Sequence, residues 1–338
     1  MSLSVLDQSI ACAGQGQDEA IRQTLRMAEW CERLGYRRFW VSEHHNHPSI
    51  VGSAPEILVA AIAARTRSIR VGTAGVMLPH YSPYKVAEQF RVLEALAPGR
   101  IDLGLGRAPG SDQLTAYALN PDAATRADRF PEQVRDLMQW VSGGEMPEGH
   151  PFSRVRATPG GPGQPEIWML GSSDFGARLA GHFGLPYSFA HFITDGRGCE
   201  SVLELYRRSF RPGLRLAEPH AGLCVWALAA DTEAEARHLF RTRERWRIER
   251  DRGNLTAMLP PEAAVNTDLT PAEEAALERL RATALVGTGA QVAARIRELA
   301  ARTGAAEIAI LTWTFDAQAR RRSYELLARE FGLLARAA

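Results

Sequence analysis

Short apolar runs alternate with longer amphipathic segments along the chain, the rhythm of strands buried on both faces and of helices that cover them. Eight runs read as strands, at residues 3–9, 38–43, 69–78, 101–106, 166–171, 185–190, 220–229 and 307–314. Helical periodicity fills 18–34, 54–65, 83–96, 129–141, 174–183, 200–210, 291–303 and 316–331. Local signals agree: Gly35 follows the first helix where a left-handed residue is wanted, Pro83 opens another, and Pro98 with Gly99 stops it. Eight β/α alternations predict an α/β protein with a closed TIM-type (β/α)8 barrel, because the competing open doubly wound sheet usually has fewer strands in one domain.

Three stretches break the rhythm: 107–128, 143–165 and 251–283 carry Pro, Gly and acidic residues and read as insertions after strands 4 and 7. Long loops at the mouth of a barrel are expected to close it. No repeat or low-complexity tract interrupts the chain, so 1–338 reads as one domain.

Composition narrows the function by exclusion. Forty basic against 39 acidic side chains leave a net charge of +1, with no field to draw the chain onto nucleic acid or an anionic membrane. The longest segment without Asp, Glu, Lys or Arg, residues 179–194, is too short and too polar to span a bilayer. The start, MSLSVLDQSIACAG, lacks the basic and apolar regions of a signal peptide. Cys12, Cys31, Cys199 and Cys224 are scattered without CxxC spacing, which argues against a zinc knuckle or a disulfide framework and suits a cytoplasmic protein. Lys85 is the only lysine and sits in no phosphate-loop context.

Candidate chemistry gathers at strand ends. The second strand finishes RFWVSEHHNHP, placing Glu43, His44, His45 and His47 at the expected mouth. Alternation sends Glu43 and His45 one way and His44 the other, so three converging metal ligands are not expected; the bland alternative is a set of strand-end hydrogen bonds. In the third strand Gly72, Ala74 and Gly75 remove bulk, leaving room for a flat ring or for close packing of another element. The fourth ends IDLGLGRAPGSD, a poor dinucleotide fingerprint since Pro109 and the polar run open no helix, but Arg107 suits a phosphate or else lies on the surface. The fifth runs into Gly171, Ser172 and Ser173 before a helix, an arrangement for an anion or for a simple N-cap. Phe189, His191 and Phe192 end the sixth.

Taken together in this order, WVSEHH, VGTAGVMLP, PGRIDLGLGR, GSS, GLPYSFAHF and RRRSYELL resemble the bacterial luciferase-like flavin monooxygenases over nearly the whole chain. Within that family the resemblance is nearest to the group of oxygenases that tailor aromatic polyketides such as mensacarcin, which implies natural-product biosynthesis. The resemblance implies FMN, bound as FMNH2, reacting with O2 through a flavin C4a-hydroperoxide to oxygenate a small organic substrate. It makes His44 the catalytic acid or base beside the ring and puts Ala74–Gly75 against the ring as a non-prolyl cis peptide. Glu43, Gly106, Arg107, Gly171, Ser172, Ser173 and His191 become cofactor-binding positions. Gly106 replaces a cysteine of luciferase, Gly176 a threonine, and His191 a tryptophan near the ring; a second phosphate arginine falls at Arg126 or Arg129. No second nucleotide domain is visible, so the resemblance implies a separate NAD(P)H:flavin reductase, and it implies a homodimer, for which the Ala-rich helix at 54–65 is a candidate face. Two alternatives stay open: an F420-dependent hydride-transfer oxidoreductase, and a non-catalytic flavin-binding relative. Phe189, Phe192, Trp313 and Tyr81 are candidate apolar lining on the substrate side.

Overall fold

The computed structural model describes residues 1–108, 110–213 and 215–333, so Pro109 and the expected domain limit at 338 lie outside the described residues. Ten strands form in chain order: β1 (Ser2–Asp7), β2 (Arg38–Val41), β3 (Arg70–Thr73), β4 (Val76–Met77), β5 (Ile101–Gly106), β6 (Glu166–Gly171), β7 (Tyr187–Ala190), β8 (Ala221–Ala230), β9 (Leu285–Thr288) and β10 (Glu307–Leu311). Eight of them pair in parallel in the order β1, β2, β3, β5, β6, β7, β8, β10, and β10 returns to β1. The barrel is closed.

The expected third strand is broken after Thr73, and its continuation β4 pairs with the end of β5. β9 was not anticipated. It pairs with residues 227–230 of the long β8, above the closed ring, and the helix Gly289–Thr303 then returns the chain to β10. The insertion after β8 is therefore larger than 251–283: it occupies 231–284 and includes the helices Glu233–Asp251 and Pro271–Thr283.

Two apolar layers hold these elements. The outer one packs the helices on the barrel wall, with Val5, Phe39, Val71 and Leu103 pointing outward from their strands. The inner one fills the barrel, where Trp40 and Trp168 meet edge to face with ring centroids 5.1 Å apart. Below them the buried Arg38 donates to both carboxylate oxygens of Asp102 at 2.9 and 2.8 Å, and to Glu307 and Glu166 at 2.8 and 3.0 Å. A buried cation so surrounded is neutralised in place.

Helix ends follow the local code. Gly35, at φ +83°, accepts the left-handed position and lets Gly35 and Tyr36 donate back to Glu32 and Cys31. Insertion 107–128 runs from the end of β5 and contributes two short helices, Gln113–Leu119 and Ala123–Asp128. Insertion 143–165 corrects an expectation. It follows a helix rather than a strand and leads into the start of β6, so it lies at the opposite end from the mouth and cannot close it. Buried Arg91 pins it, donating to the carbonyls of Pro159, Gly161 and Gly163 at 2.9, 3.0 and 2.7 Å. Among the described residues no helix is long and apolar enough to cross a membrane.

Candidate functional site

A cavity of about 510 Å³ opens at the C-terminal ends of the barrel strands. Its wall includes the Ala74–Gly75 peptide, which is cis and lies between β3 and β4. The neighbouring glycines answer to backbone rather than to a ligand. A Cβ on Gly72 would lie 2.3 Å from the Asp102 carbonyl, and one on Gly104 would lie 2.1 Å from that of Thr73. Gly106 is different: its Cβ would meet only the Val76 carbonyl, at 3.8 Å, so its openness is left to the cavity.

At one end of the cavity are Arg107, Gly171, Ser172 and Ser173. Ser173 is the N-cap of the helix Asp174–His182, yet its side chain caps no backbone amide. The first amides of that helix therefore keep their donors, and the helix dipole adds a partial positive charge. Arg107 is exposed, lies over the Phe175 ring, and has no carboxylate partner among the described residues. The set is an anion cradle with a fork-shaped cation beside it.

Two histidines line the cavity, with ring centroids 6.4 Å apart. His44 Nδ1 meets the Ser42 hydroxyl at 3.1 Å, and burial, with His47 and His45 nearby, pulls its pKa down to about 4. It is neutral at pH 7, and if Ser42 donates to Nδ1 the ring proton sits on Nε2. For His47 the tautomer is fixed, because Nδ1 accepts from the Ser49 and Ile50 amides, both at 3.1 Å, leaving the proton on Nε2. The sequence offered His47 only as one of a cluster; a residue in the left-handed region, Asn46 at φ +51°, helps turn the chain so that it shares the cavity with His44.

Not every expected residue converges. Glu43 is buried behind the wall, where it accepts from His45 Nε2, the Tyr81 hydroxyl and the Met77 amide at 2.8, 2.7 and 2.9 Å. It ties β2 to β4, and neither it nor Tyr81 lines the cavity. His191 begins the helix His191–Thr194 rather than ending β7, and it faces a separate depression with Asp195, Cys199 and Arg302. Arg126 donates to the Tyr81 carbonyl and Arg129 to Glu132, and neither reaches the cavity. Phe189 is core, whereas Phe192 and Trp313 do line the space.

The sequence profile described as luciferase-like monooxygenase matches residues 1–307 of the chain. The chain belongs to the luciferase-like monooxygenase family. A luciferase-like monooxygenase of Escherichia coli strain K12 is 38% identical over 327 residues, spanning 96% of each chain. The N-acetyl-S-alkylcysteine monooxygenase of Bacillus subtilis strain 168 is 37% identical over 339 residues, 96% of this chain and 97% of that one. Among solved structures, apo-MsnO8 is 35% identical with a TM-score of 0.89 over 98% of both chains. The same fold, at 20% identity, TM-score 0.71 and coverage of 98% and 97%, carries FMN in the oxygenating constituent of 3,6-diketocamphane monooxygenase from Pseudomonas putida. At 15% identity, TM-score 0.67 and 98% coverage of both chains, it holds an F420–acetone adduct in a secondary alcohol dehydrogenase.

Within this luciferase-like chain the residues fit a flavin phosphate, since the uncapped helix start, the two serines and the unpaired Arg107 lie together on one cavity. What the sequence reading missed is the cover. Arg243, Trp246, Arg247 and Arg250 of the helix Glu233–Asp251 line the cavity from above. Trp246 is fixed by donating to Ser49 Oγ at 2.9 Å and by edge contact with Trp313, 4.7 Å between centroids. Their i, i+3, i+4, i+7 spacing is visible in the sequence, but a helix bearing this many arginines reads as a solvated face.

Proposed function

We propose that this chain is a monooxygenase that binds reduced FMN, delivered by a separate NAD(P)H:flavin reductase, and inserts one atom of O2 into a small organic substrate. The observation that carries the reading is the sharing of one cavity by an anion cradle at Arg107, Ser172 and Ser173 and by a neutral histidine, His44. When bound, the reduced flavin supplies the two electrons with which one oxygen atom goes to substrate and the other leaves as water.

The protein's part is position, dryness and proton control. Arg107 and the amides that start the helix Asp174–His182 would hold the phosphate, leaving the wall at Ala74–Gly75 for the ring. His44, neutral at working pH, donates a proton from Nε2 when Ser42 donates to its Nδ1 and accepts one at Nε2 when its Nδ1–H donates to Ser42, while His47 offers a fixed N–H. Trp246, Trp313 and Phe192 keep water from the reacting atoms. The N-acetyl-S-alkylcysteine monooxygenase relative supports a substrate of small organic scale. The chain acts as a homodimer in this reading, with the helix Pro55–Arg65, whose Ile57 is exposed, at the contact.

The test is to mix the chain and anaerobically reduced FMN with 18O2 and a panel of small thioethers, aldehydes and ketones. One 18O atom in a product, found by mass spectrometry, is the expected result. Peroxide alone across the panel overturns it, and anaerobic turnover with reduced F420 assigns hydride transfer instead.

A further inference from the structure

On the side of the cavity formed by the helix Glu233–Asp251 lies a group that the flavin reading does not use. Arg243 is only 5% exposed, and its guanidinium sits over Trp226 at 4.3 Å and Trp313 at 5.3 Å from the ring centroids. Among the described residues it has neither a carboxylate nor a carbonyl partner. The nearby carboxylate, Asp195, is already engaged by Arg247 at 2.8 and 3.4 Å, and Arg250 is held by Asp251 at 3.0 Å. Burial, then the charges of Arg247 and Arg250, pull the pKa of Arg243 down to about 9, Asp195 opposing them, so the group is still a cation at neutral pH.

The surrounding polar atoms share one deficiency. Trp313 Nε1 and Trp226 Nε1 are buried donors with no acceptor. Buried donors are normally paired, and an orphan is destabilising. Arg243 and Trp313 both line the cavity, and the Trp313 Nε1–H, enclosed in its wall, finds nothing in the protein to accept from it. Gln8, 3% exposed and also on the cavity, has the opposite lack, an Oε1 with no donor. Beside Arg247 and Arg250, whose charges are met by Asp195 and Asp251, this side carries the apolar Leu6, Ile50, Phe192, Cys224 and Trp246.

We propose that Arg243, with Trp313, binds a carboxylate on the substrate, so that the substrate class is a small organic acid whose apolar body reaches toward His44. A planar carboxylate takes a guanidinium fork in two hydrogen bonds, and the aromatic faces hold that fork rigid. This rests on the reading above that the cavity is the site of oxygenation, and it gives the site two separate anion positions: Arg107 for the cofactor phosphate and Arg243 for the substrate.

The experiment is calorimetric titration of the full chain with hexanoate and with 1-hexanol, a neutral probe of the same length, FMN being present to fill the phosphate end. Hexanoate is expected to bind at least tenfold more tightly than hexanol. Arg243→Gln is expected to weaken hexanoate at least tenfold, Arg243→Lys less, with hexanol and oxidised FMN both within twofold of wild type. Equal binding of acid and alcohol, or a Gln variant that keeps hexanoate, overturns the proposal. A Gln variant that loses FMN also overturns it, by assigning the guanidinium to the flavin. If wild type takes up no FMN the flavin reading fails, while the hexanoate titrations, run without FMN, decide the carboxylate site on their own. Should Arg243→Gln fail to fold, Trp313→Phe keeps the ring and removes the donor: hexanoate several-fold weaker supports the proposal, and unchanged hexanoate overturns it.

Discussion

Arg107 stacks its guanidinium 4.0 Å from the ring centroid of Phe175, the second residue of the helix whose uncapped start faces the same cavity. The ring fixes a side chain that has no anionic partner among the described residues. Arg107→Met should therefore weaken oxidised FMN by about 10- to 100-fold, the range for losing hydrogen bonds from a charged group. Phe175→Leu should cost less, about 0.5–1 kcal/mol of cation–π contact. Titration followed by flavin fluorescence measures both.

The depressed pKa of His44 makes stability depend on pH. In the unfolded chain the ring titrates near its ordinary value of 6.5, and in the folded chain near 4. Between those values the unfolded state takes up a proton that the folded state refuses, so the contribution is complete above 6.5 and is lost as pH falls toward 4, by up to about 3 kcal/mol. His47, lowered by burial, acts in the same direction. His44→Asn should flatten urea-unfolding free energies between pH 6.5 and 4.5 without abolishing the slope.

Two glycines of β5 make a controlled pair. Gly104→Ala drives a Cβ to 2.1 Å from the Thr73 carbonyl, which is backbone and cannot swing aside, and should cost about 3 kcal/mol or leave the chain unfolded. Gly106→Ala meets only an oxygen at 3.8 Å and should keep stability within about 1 kcal/mol. Thermal unfolding of the two variants checks the difference.

Arg38→Met removes the cation that neutralises Asp102 and Glu307 inside the barrel. Asp102 keeps Arg70 at 2.8 Å and Glu307 the longer contact with Arg37 at 3.8 Å, so the charges are left partly unmatched and stability should fall by about 3 kcal/mol at pH 7. Because the loss comes from uncompensated charge, it should shrink as pH falls and the carboxylates protonate. Urea unfolding at pH 7 and pH 5 measures it.

What the chain settled by itself is what short range can settle. Strand and helix periods, the Gly35 and Pro83 ends, and the count of eight β/α units are local properties, and a closed parallel barrel is the arrangement that buries all eight apolar runs. Strand ends fall at one mouth by the same logic, and the resemblance to the luciferase-like monooxygenases singled out His44, Ala74, Gly75, Gly106, Arg107, Ser172 and Ser173 among them, all of which line one cavity.

Tertiary structure decided the rest. Whether an excursion lies at the mouth or the base depends on which end of the barrel it leaves: 143–165 has loop composition like 107–128 but follows a helix. Strand alternation already turned Glu43 away from His44 and toward His45, whereas only the turn into the helix His191–Thr194 sends His191 to a different depression. Arg243 was the least legible, because a charged residue on an arginine-rich helix becomes a buried, unpaired cation only when β8 runs on past the ring and β9 holds that helix over the opening. Burial is a property of neighbours distant in sequence, and no local pattern encodes it.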